Sequence, residues 1–315
     1  MTIDTAPSLG VQPVGADTDR PSIPRVYDYS LGGKDNYEVD RSAFERIRRI
    51  APRQGGVHLM NRGWLTRVVR SLAEGAGIEQ FLDLGAGLPT RDPLHIVAQE
   101  CGRGEVKFVY VDNDPLCVAH GRAMLERNEN TRYLPGDLTD AAAVLDDAAR
   151  HLDMRQPVAV LLGAVLHHLG DDDDPAGVVS RYVDLLPAGS CVAITHYCDP
   201  GPGDPELHDL ARRLERAHVD EEFGSGRYRS PQQIRALFGA LDLVEPGLTP
   251  LDEWWPQGPP TRAKAPEEQL VLGGLGRKPA RGTLHAVGSK RASHATPAAA
   301  PANQRRSGPA ARNHP

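Results

Sequence analysis

Between residues 21 and 280 short apolar runs alternate with helical patterns, which restricts the chain to a parallel sheet covered by helices on both faces. A strand buried on both sides reads as a mainly apolar run, and strands are predicted at 80–84, 106–111, 132–134, 158–162 and 191–195. The first helix is predicted over 58–74, with Leu59, Leu65, Val68, Val69 and Leu72 on one face and Gly75 and Gly77 to stop it. Further helices are expected at 92–100, where Pro93 suits the first turn, at 115–126, and from just after Asp137 to about Leu152. Others follow at 175–186, 205–219 and 231–238. The apolar runs 241–244 and 269–272 then close the sheet as an antiparallel strand pair joined by a long loop. The expected architecture is one doubly wound, Rossmann-like α/β domain over 21–280, in which 21–75 forms a lid or cover segment.

The flanks differ in composition. Residues 1–20 are small and polar, and 281–315 are rich in Ala, Pro, Arg, Ser and Asn, so both are expected to be disordered tails. The formal charge of −6 hides an asymmetry: six basic residues and no acidic one lie in 281–315, which leaves 30 basic against 42 acidic residues, or −12, on 1–280. A body that acidic makes nucleic acid an unfavourable substrate, while the basic tail reads as a solvated segment. Cys101, Cys117, Cys191 and Cys198 show no paired spacing, which fits a reduced compartment without disulfide or zinc site. No stretch approaches the ~18 apolar residues of a membrane span, and the N-terminus lacks a basic segment followed by an apolar run. A cytoplasmic protein with no membrane partner is expected.

The strongest local signal is Phe81-Leu82-Asp83-Leu84-Gly85-Ala86-Gly87-Leu88-Pro89-Thr90, an apolar strand that enters a glycine turn and then a helix. Such a turn brings backbone N–H groups close to a ligand. Asp112 ends the second strand, 25 residues beyond Gly87, where one carboxylate can accept from both hydroxyls of a ribose. Gly136-Asp137-Leu138 follows the third strand, where a carboxylate can hold an adenine amino group. Three successive strand ends thus carry small or acidic residues, the place where open α/β sheets bind ligands. An NAD-binding fold shares the first two features. It wants a third glycine where Pro89-Thr90 stand, and Asp83 would repel a pyrophosphate while favouring a cationic amino-acid group.

Together the D-x-G-x-G start, Asp112 and the Gly136-Asp137 turn resemble the class I S-adenosylmethionine (SAM)-dependent methyltransferases. Pro21-Ser22-Ile23-Pro24-Arg25-Val26-Tyr27-Asp28-Tyr29, Leu31-Gly32-Gly33-Lys34-Asp35-Asn36-Tyr37 and Val109-Tyr110-Val111-Asp112-Asn113-Asp114-Pro115 narrow the resemblance. With Val165-Leu166-His167-His168-Leu169 and Gly274-Leu275-Gly276-Arg277-Lys278-Pro279, they look like the actinobacterial S-adenosyl methyltransferase family, whose members mostly have no assigned acceptor. The chain departs from that family at Arg91-Asp92-Pro93-Leu94. The resemblance implies SAM as cofactor, with Asp83, Gly85, Ala86 and Gly87 at its methionine end and Asp112 with Asn113 at the ribose. It further implies Asp137 and Leu138 at the adenine, and Ala164 and Val165 near the sulfonium.

Less specific candidates complete the set. Arg25, Tyr27, Gly33 and Asn36, around the Gly32-Gly33 turn, read either as a lid over the cofactor or as packing on the sheet edge. Asn61 and Arg62, on the first predicted helix, can reach the SAM carboxylate or remain on a solvated helix face. His167 and His168 are the candidate general bases, although the same pair can serve as a buried hydrogen-bonding group at a helix start. His196 and Tyr197 are weaker candidates. Asp171-Asp172-Asp173-Asp174 reads as a loop capping the helix that Pro175 opens rather than as a metal site. No Asn-Pro-Pro-Tyr, Asp-Pro-Pro-Tyr or Pro-Cys string is present, which disfavours the nucleic-acid methylating enzymes. The expected function is methyl transfer to O or N of a small molecule; a SAM-binding sensor or partner without turnover, and more distantly an NAD-dependent oxidoreductase, are the alternatives.

Overall fold

The computed structural model describes residues 17–255 and 262–280. The tails expected to be disordered therefore lie almost wholly outside the described residues. The sheet runs in the order β3-β2-β1-β4-β5-β8-β6, with β7 also paired to β8. Its parallel strands are β1 (Gln80–Leu84), β2 (Lys107–Asp112), β3 (Thr131–Pro135), β4 (Ala159–Gly163) and β5 (Cys191–Tyr197). β6 (Asp242–Leu243), β7 (Thr249–Pro250) and β8 (Val271–Arg277) add the antiparallel end. The order reverses between β1 and β4, which opens a crevice at the carboxyl ends of the central strands.

Every residue of β1 and β5 is buried, because helices cover both faces. Successive side chains point to opposite faces, so Phe81 and Phe108 enter one core layer while Leu82 and Val109 enter the other. The first layer lies under α3 (Gln54–Arg70), α4 (Leu94–Cys101), α5 (Pro115–Leu125) and α8 (Pro205–Arg216), with Trp64 and Trp254 fully buried in it. The second lies under α6 (Ala141–Ala148), α7 (Pro175–Leu185) and α9 (Pro231–Ala236). Among the described residues no helix is long and apolar enough to cross a membrane, and the four cysteines are free.

Three departures from the sequence reading have local causes. The segment ahead of the sheet folds into two further helices, α1 (Ile23–Ser30) and α2 (Glu38–Ile50), whose small joint core holds only Val26, Ala43 and Phe44 as buried apolar residues. The closing strand is longer than its apolar run, because β8 continues through Gly273, Gly274 and Gly276. A Cβ on Gly273 would come within 2.7 Å of Trp64, and one on Gly274 within 2.8 Å of Phe238, so large neighbours fill the space that side chains would take. Finally, α4 begins at Leu94 with Pro93 just ahead of it, two residues later than expected.

Candidate active site

At the carboxyl ends of β1, β2, β3 and β4 lies a cleft of about 640 Å³, within the range of small-molecule sites. Its floor is the turn after β1. Gly85 and Gly87 adopt φ of +68° and +70°, conformations that side chains other than glycine's resist. A Cβ on Gly85 would also run into Val165 Cγ2. The turn is fastened to β2: the N–H groups of Gly85 and Ala86 donate to Val111 O at 2.8 and 3.1 Å. Gly87 N–H donates to Asp112 Oδ2 at 2.8 Å, and the Tyr133 hydroxyl donates to Gly87 O at 2.6 Å.

Six aspartates line the cleft (Asp28, Asp83, Asp112, Asp114, Asp137 and Asp173), while Arg62 is its one guanidinium among the described residues. Asp83 is 5% exposed, and burial pushes its carboxyl up to about 7; Arg62 opposes that rise and the Asp112 charge adds to it. Burial also raises Asp112, opposed by the N–H groups of Asp114 and Gly87. Asp137 Oδ1 accepts from the N–H and hydroxyl of Thr139, both at 2.8 Å. Asn113, Leu138, Ala164 and Val165 stand on the wall, and Ala164 takes φ +56°, rare for a residue with a side chain. The expected glycine-turn and strand-end residues are thus all brought together around one cavity.

The candidates from the N-terminal half separate. Tyr27, Asn61 and Arg62 line the cleft. Asn61 uses both ends of its amide on the protein, donating to the Tyr27 hydroxyl at 3.0 Å and accepting from the Thr195 hydroxyl at 2.7 Å. Arg62 donates to Asp92 O at 3.0 Å. Arg25, Gly33 and Asn36 stand behind the wall and do not line the cavity. Arg25 is buried in an ion pair with Asp40 at 2.8 Å and also holds the carbonyls of Asp17 and Arg20. Asn36 donates to Asp28 Oδ2 at 2.9 Å, and Gly33 leaves room for that same carboxylate. These three brace α1, and α1 itself covers the cleft.

The histidine pair divides as well. His167 is buried away from the cavity wall, and its Nδ1 has no partner among the described residues. Burial, reinforced by neighbouring histidines, holds it well below the usual imidazole range. His168 does line the cleft, but burial lowers it to about 3 and Ser225 Oγ occupies its Nδ1 at 2.9 Å. His196 is fully buried against Arg229 and lowered to about 4, and Tyr197 accepts from Gln54 at 2.9 Å. An imidazole this reluctant to ionise is mismatched as a general base near neutrality. Within the acidic run, Asp171 pairs with Arg229 and Asp174 caps α7 at Gly177 N–H. Among the described residues no cluster of His, Cys, Asp or Glu could hold a metal ion.

Several lining residues escaped the sequence reading, among them Asp28, Asp114 and Asp173. Pro21, Ser22, Ile23 and Pro24, at the start of α1, form part of the wall, as does Phe223. The string Pro21-Ser22-Ile23-Pro24 carried a signal, since two prolines bracket a helix start; Phe223 carried none.

This donor set fits SAM. Carboxylates surround a space suited to a cation, one guanidinium is available for a carboxylate, and the glycine turn lets a ligand approach the backbone. Comparison with known proteins points the same way. Residues 11–279 match the model of the S-adenosyl methyltransferase family. A proposed methyltransferase of Thermobifida fusca has a similar structure (TM-score 0.78, 39% identity), with 84% of this chain and 97% of that one covered. A DUF574 family protein of Streptomyces avermitilis is also similar (TM-score 0.77, 34% identity), with 84% and 99% covered. Among functionally curated proteins none matches. The strand order, the acidic glycine-floored cleft and the family match together exclude the oxidoreductase alternative: the chain belongs to the S-adenosyl methyltransferase family, as an enzyme whose cofactor is S-adenosylmethionine.

Proposed function

We propose that the enzyme methylates an oxygen or a nitrogen of a small molecule, and that it binds SAM along the carboxyl ends of β1 to β4. The observation that carries this reading is the convergence of Asp83, Asp112, Asp137 and the Gly85–Gly87 turn on one cavity of about 640 Å³. When bound, SAM supplies a methyl group on a sulfonium, whose departure as a neutral thioether needs no acid. Asp83 with Arg62 receives the amino and carboxylate groups of the methionine end. Asp112, oriented by Gly87 N–H and Asp114 N–H, has lone pairs left to accept from the ribose hydroxyls. Asp137 and Leu138 take the adenine. Ala164 and Val165 border the reacting methyl. The enzyme's main task is then alignment and exclusion of water by α1.

Because burial makes His167 and His168 weak bases and His167 does not line the cavity, the site suits an acceptor whose nucleophile needs no histidine base. The cavity volume and the acidic wall favour a small acceptor over nucleic acid. The test is methyl transfer from radiolabelled SAM into a small-molecule extract, with RNA, DNA and protein fractions in parallel. Label in an extracted compound below the size of a peptide supports the reading, and label confined to macromolecules refutes it.

A further inference from the structure

One run of hydrogen bonds crosses the site with every donor pointing the same way. Ala164 N–H donates to Thr195 Oγ1 at 2.8 Å, and the Thr195 hydroxyl donates to Asn61 Oδ1 at 2.7 Å. Asn61 Nδ2 then donates to the Tyr27 hydroxyl at 3.0 Å, which donates to His58 O at 3.2 Å. The run joins the loop after β4 to β5, to α3 and to the covering helix α1. Thr195 is 0% and Asn61 3% exposed, so a hydroxyl lost at Thr195 leaves buried polar groups without their protein partner. Each group in the run donates to the next, and hydrogen bonds aligned in this way polarise and strengthen one another.

The end of this run is the strained residue of the cleft. Ala164 holds φ +56°, the left-handed conformation that a residue with a Cβ resists. On one side Gly163 is packed against Leu65, and on the other Val165 fills the space above Gly85. The bond from Thr195 is the polar tie that holds the amide of Ala164 in place.

We propose that Thr195 is a positioning residue for methyl transfer: its buried hydroxyl holds Ala164 in the left-handed conformation and, through Asn61 and Tyr27, ties that corner to the seating of α1. The proposal rests on the reading that Ala164 borders the bound cofactor. Valine at position 195 keeps the shape and removes both hydrogen bonds, whereas serine keeps both.

The test compares wild type, Thr195→Val, Thr195→Ser, Ala164→Gly and the double variant Thr195→Val with Ala164→Gly. Calorimetric affinity for SAM and a thermal melt are measured on each full-length protein. Thr195→Val is expected to weaken SAM binding about tenfold, the worth of one lost hydrogen bond near the upper end of the usual range, and Thr195→Ser by less than about threefold. Glycine adopts the left-handed conformation freely, so Ala164→Gly should recover about threefold in the Thr195→Val background. A merely structural threonine would give losses that add. Thr195→Val protein that is folded and binds SAM within about twofold of wild type, or losses that add in the double variant, overturns the proposal. If Thr195→Val does not fold, Thr195→Cys replaces it in the same comparison. Hydrogen exchange at the Ala164 amide, measured without ligand, separates this proposal from the reading beneath it. Exchange should speed up about tenfold in Thr195→Val and not in Thr195→Ser, and unchanged exchange overturns the proposal whatever SAM does. Wild-type protein that binds no SAM would instead refute the cofactor assignment.

Discussion

Asp83→Asn should stabilise the ligand-free enzyme at alkaline pH while weakening its hold on SAM. The carboxyl is buried at the end of β1, and burial lifts it from the ordinary 3.8 to about 7. The folded protein therefore holds a proton that the unfolded chain releases, so wild-type stability is highest below about pH 4 as far as this group is concerned. It falls as pH rises through about 7, and above that the folded state carries the full cost of an ionised buried carboxylate. Lifting the carboxyl that far amounts to ~4 kcal/mol, of which about 2–4 kcal/mol should appear at pH 8 once neighbours relax. Asparagine fills the same space without ionising and escapes that cost. For a domain of this size, each kcal/mol moves the melting temperature by about 2–4 °C, so the variant should melt roughly 5–15 °C above wild type at pH 8. At pH 5 the folded protein keeps a proton that the unfolded chain has largely released, so about 1–2 kcal/mol of the difference is already present and the variant should melt roughly 2–8 °C above wild type. SAM affinity should move the other way, because the variant offers no negative charge to the amino group: at least about tenfold weaker at pH 8. Paired melts at pH 5 and pH 8, with calorimetry at pH 8, check all of this. A variant no more stable than wild type at pH 8 would refute the buried-charge reasoning.

Three further outcomes follow from the same geometry. On the proposed ribose role, Asp112→Ala should weaken SAM binding by at least about tenfold by calorimetry, since it would take two charged hydrogen bonds from the ribose and also frees Gly87 N–H; Asp112→Asn should fall between alanine and wild type. Gly85→Ala should lower stability in a denaturant melt by at least about 2 kcal/mol, because φ is +68° and the added methyl meets Val165. Asp40→Ala leaves Arg25 charged and buried, so it should cost about 3–5 kcal/mol in the same melt and reduce SAM affinity by loosening α1.

Much of this was legible in the sequence, for identifiable reasons. β1, β2, β4 and β5 are almost wholly buried, so each wrote itself as a largely apolar run, whereas β3, at the sheet edge, is only partly buried and showed through Tyr133 and Leu134 alone. The strand ends showed directly as Asp83, Asp112 and Asp137. The helices α1 and α2 were hidden. α1 contains Pro24 and buries only Val26 among its apolar residues, and α2 carries seven charged residues in thirteen. Their pairing depends on the buried Arg25–Asp40 link, which no periodicity reveals. β8 was half hidden because its glycines answer to Trp64 and Phe238, residues distant in sequence. Side-chain roles were least legible. Asn61 does line the cleft, but its bonds to Tyr27 and Thr195, residues distant in sequence, were not legible. His167 and His168 read either as bases or as a buried pair; His167 stands off the cavity wall, and burial, which the sequence does not display, lowers both imidazoles.

The most direct test is calorimetric titration of the purified full chain with SAM, S-adenosylhomocysteine and NAD, on wild type and on Asp112→Ala. The cleft predicts one SAM and one S-adenosylhomocysteine bound per chain, no measurable heat with NAD, and affinity for both adenosyl ligands reduced at least about tenfold in Asp112→Ala. Tight binding of NAD alone, or SAM binding untouched by the loss of Asp112 in a folded variant, would contradict it.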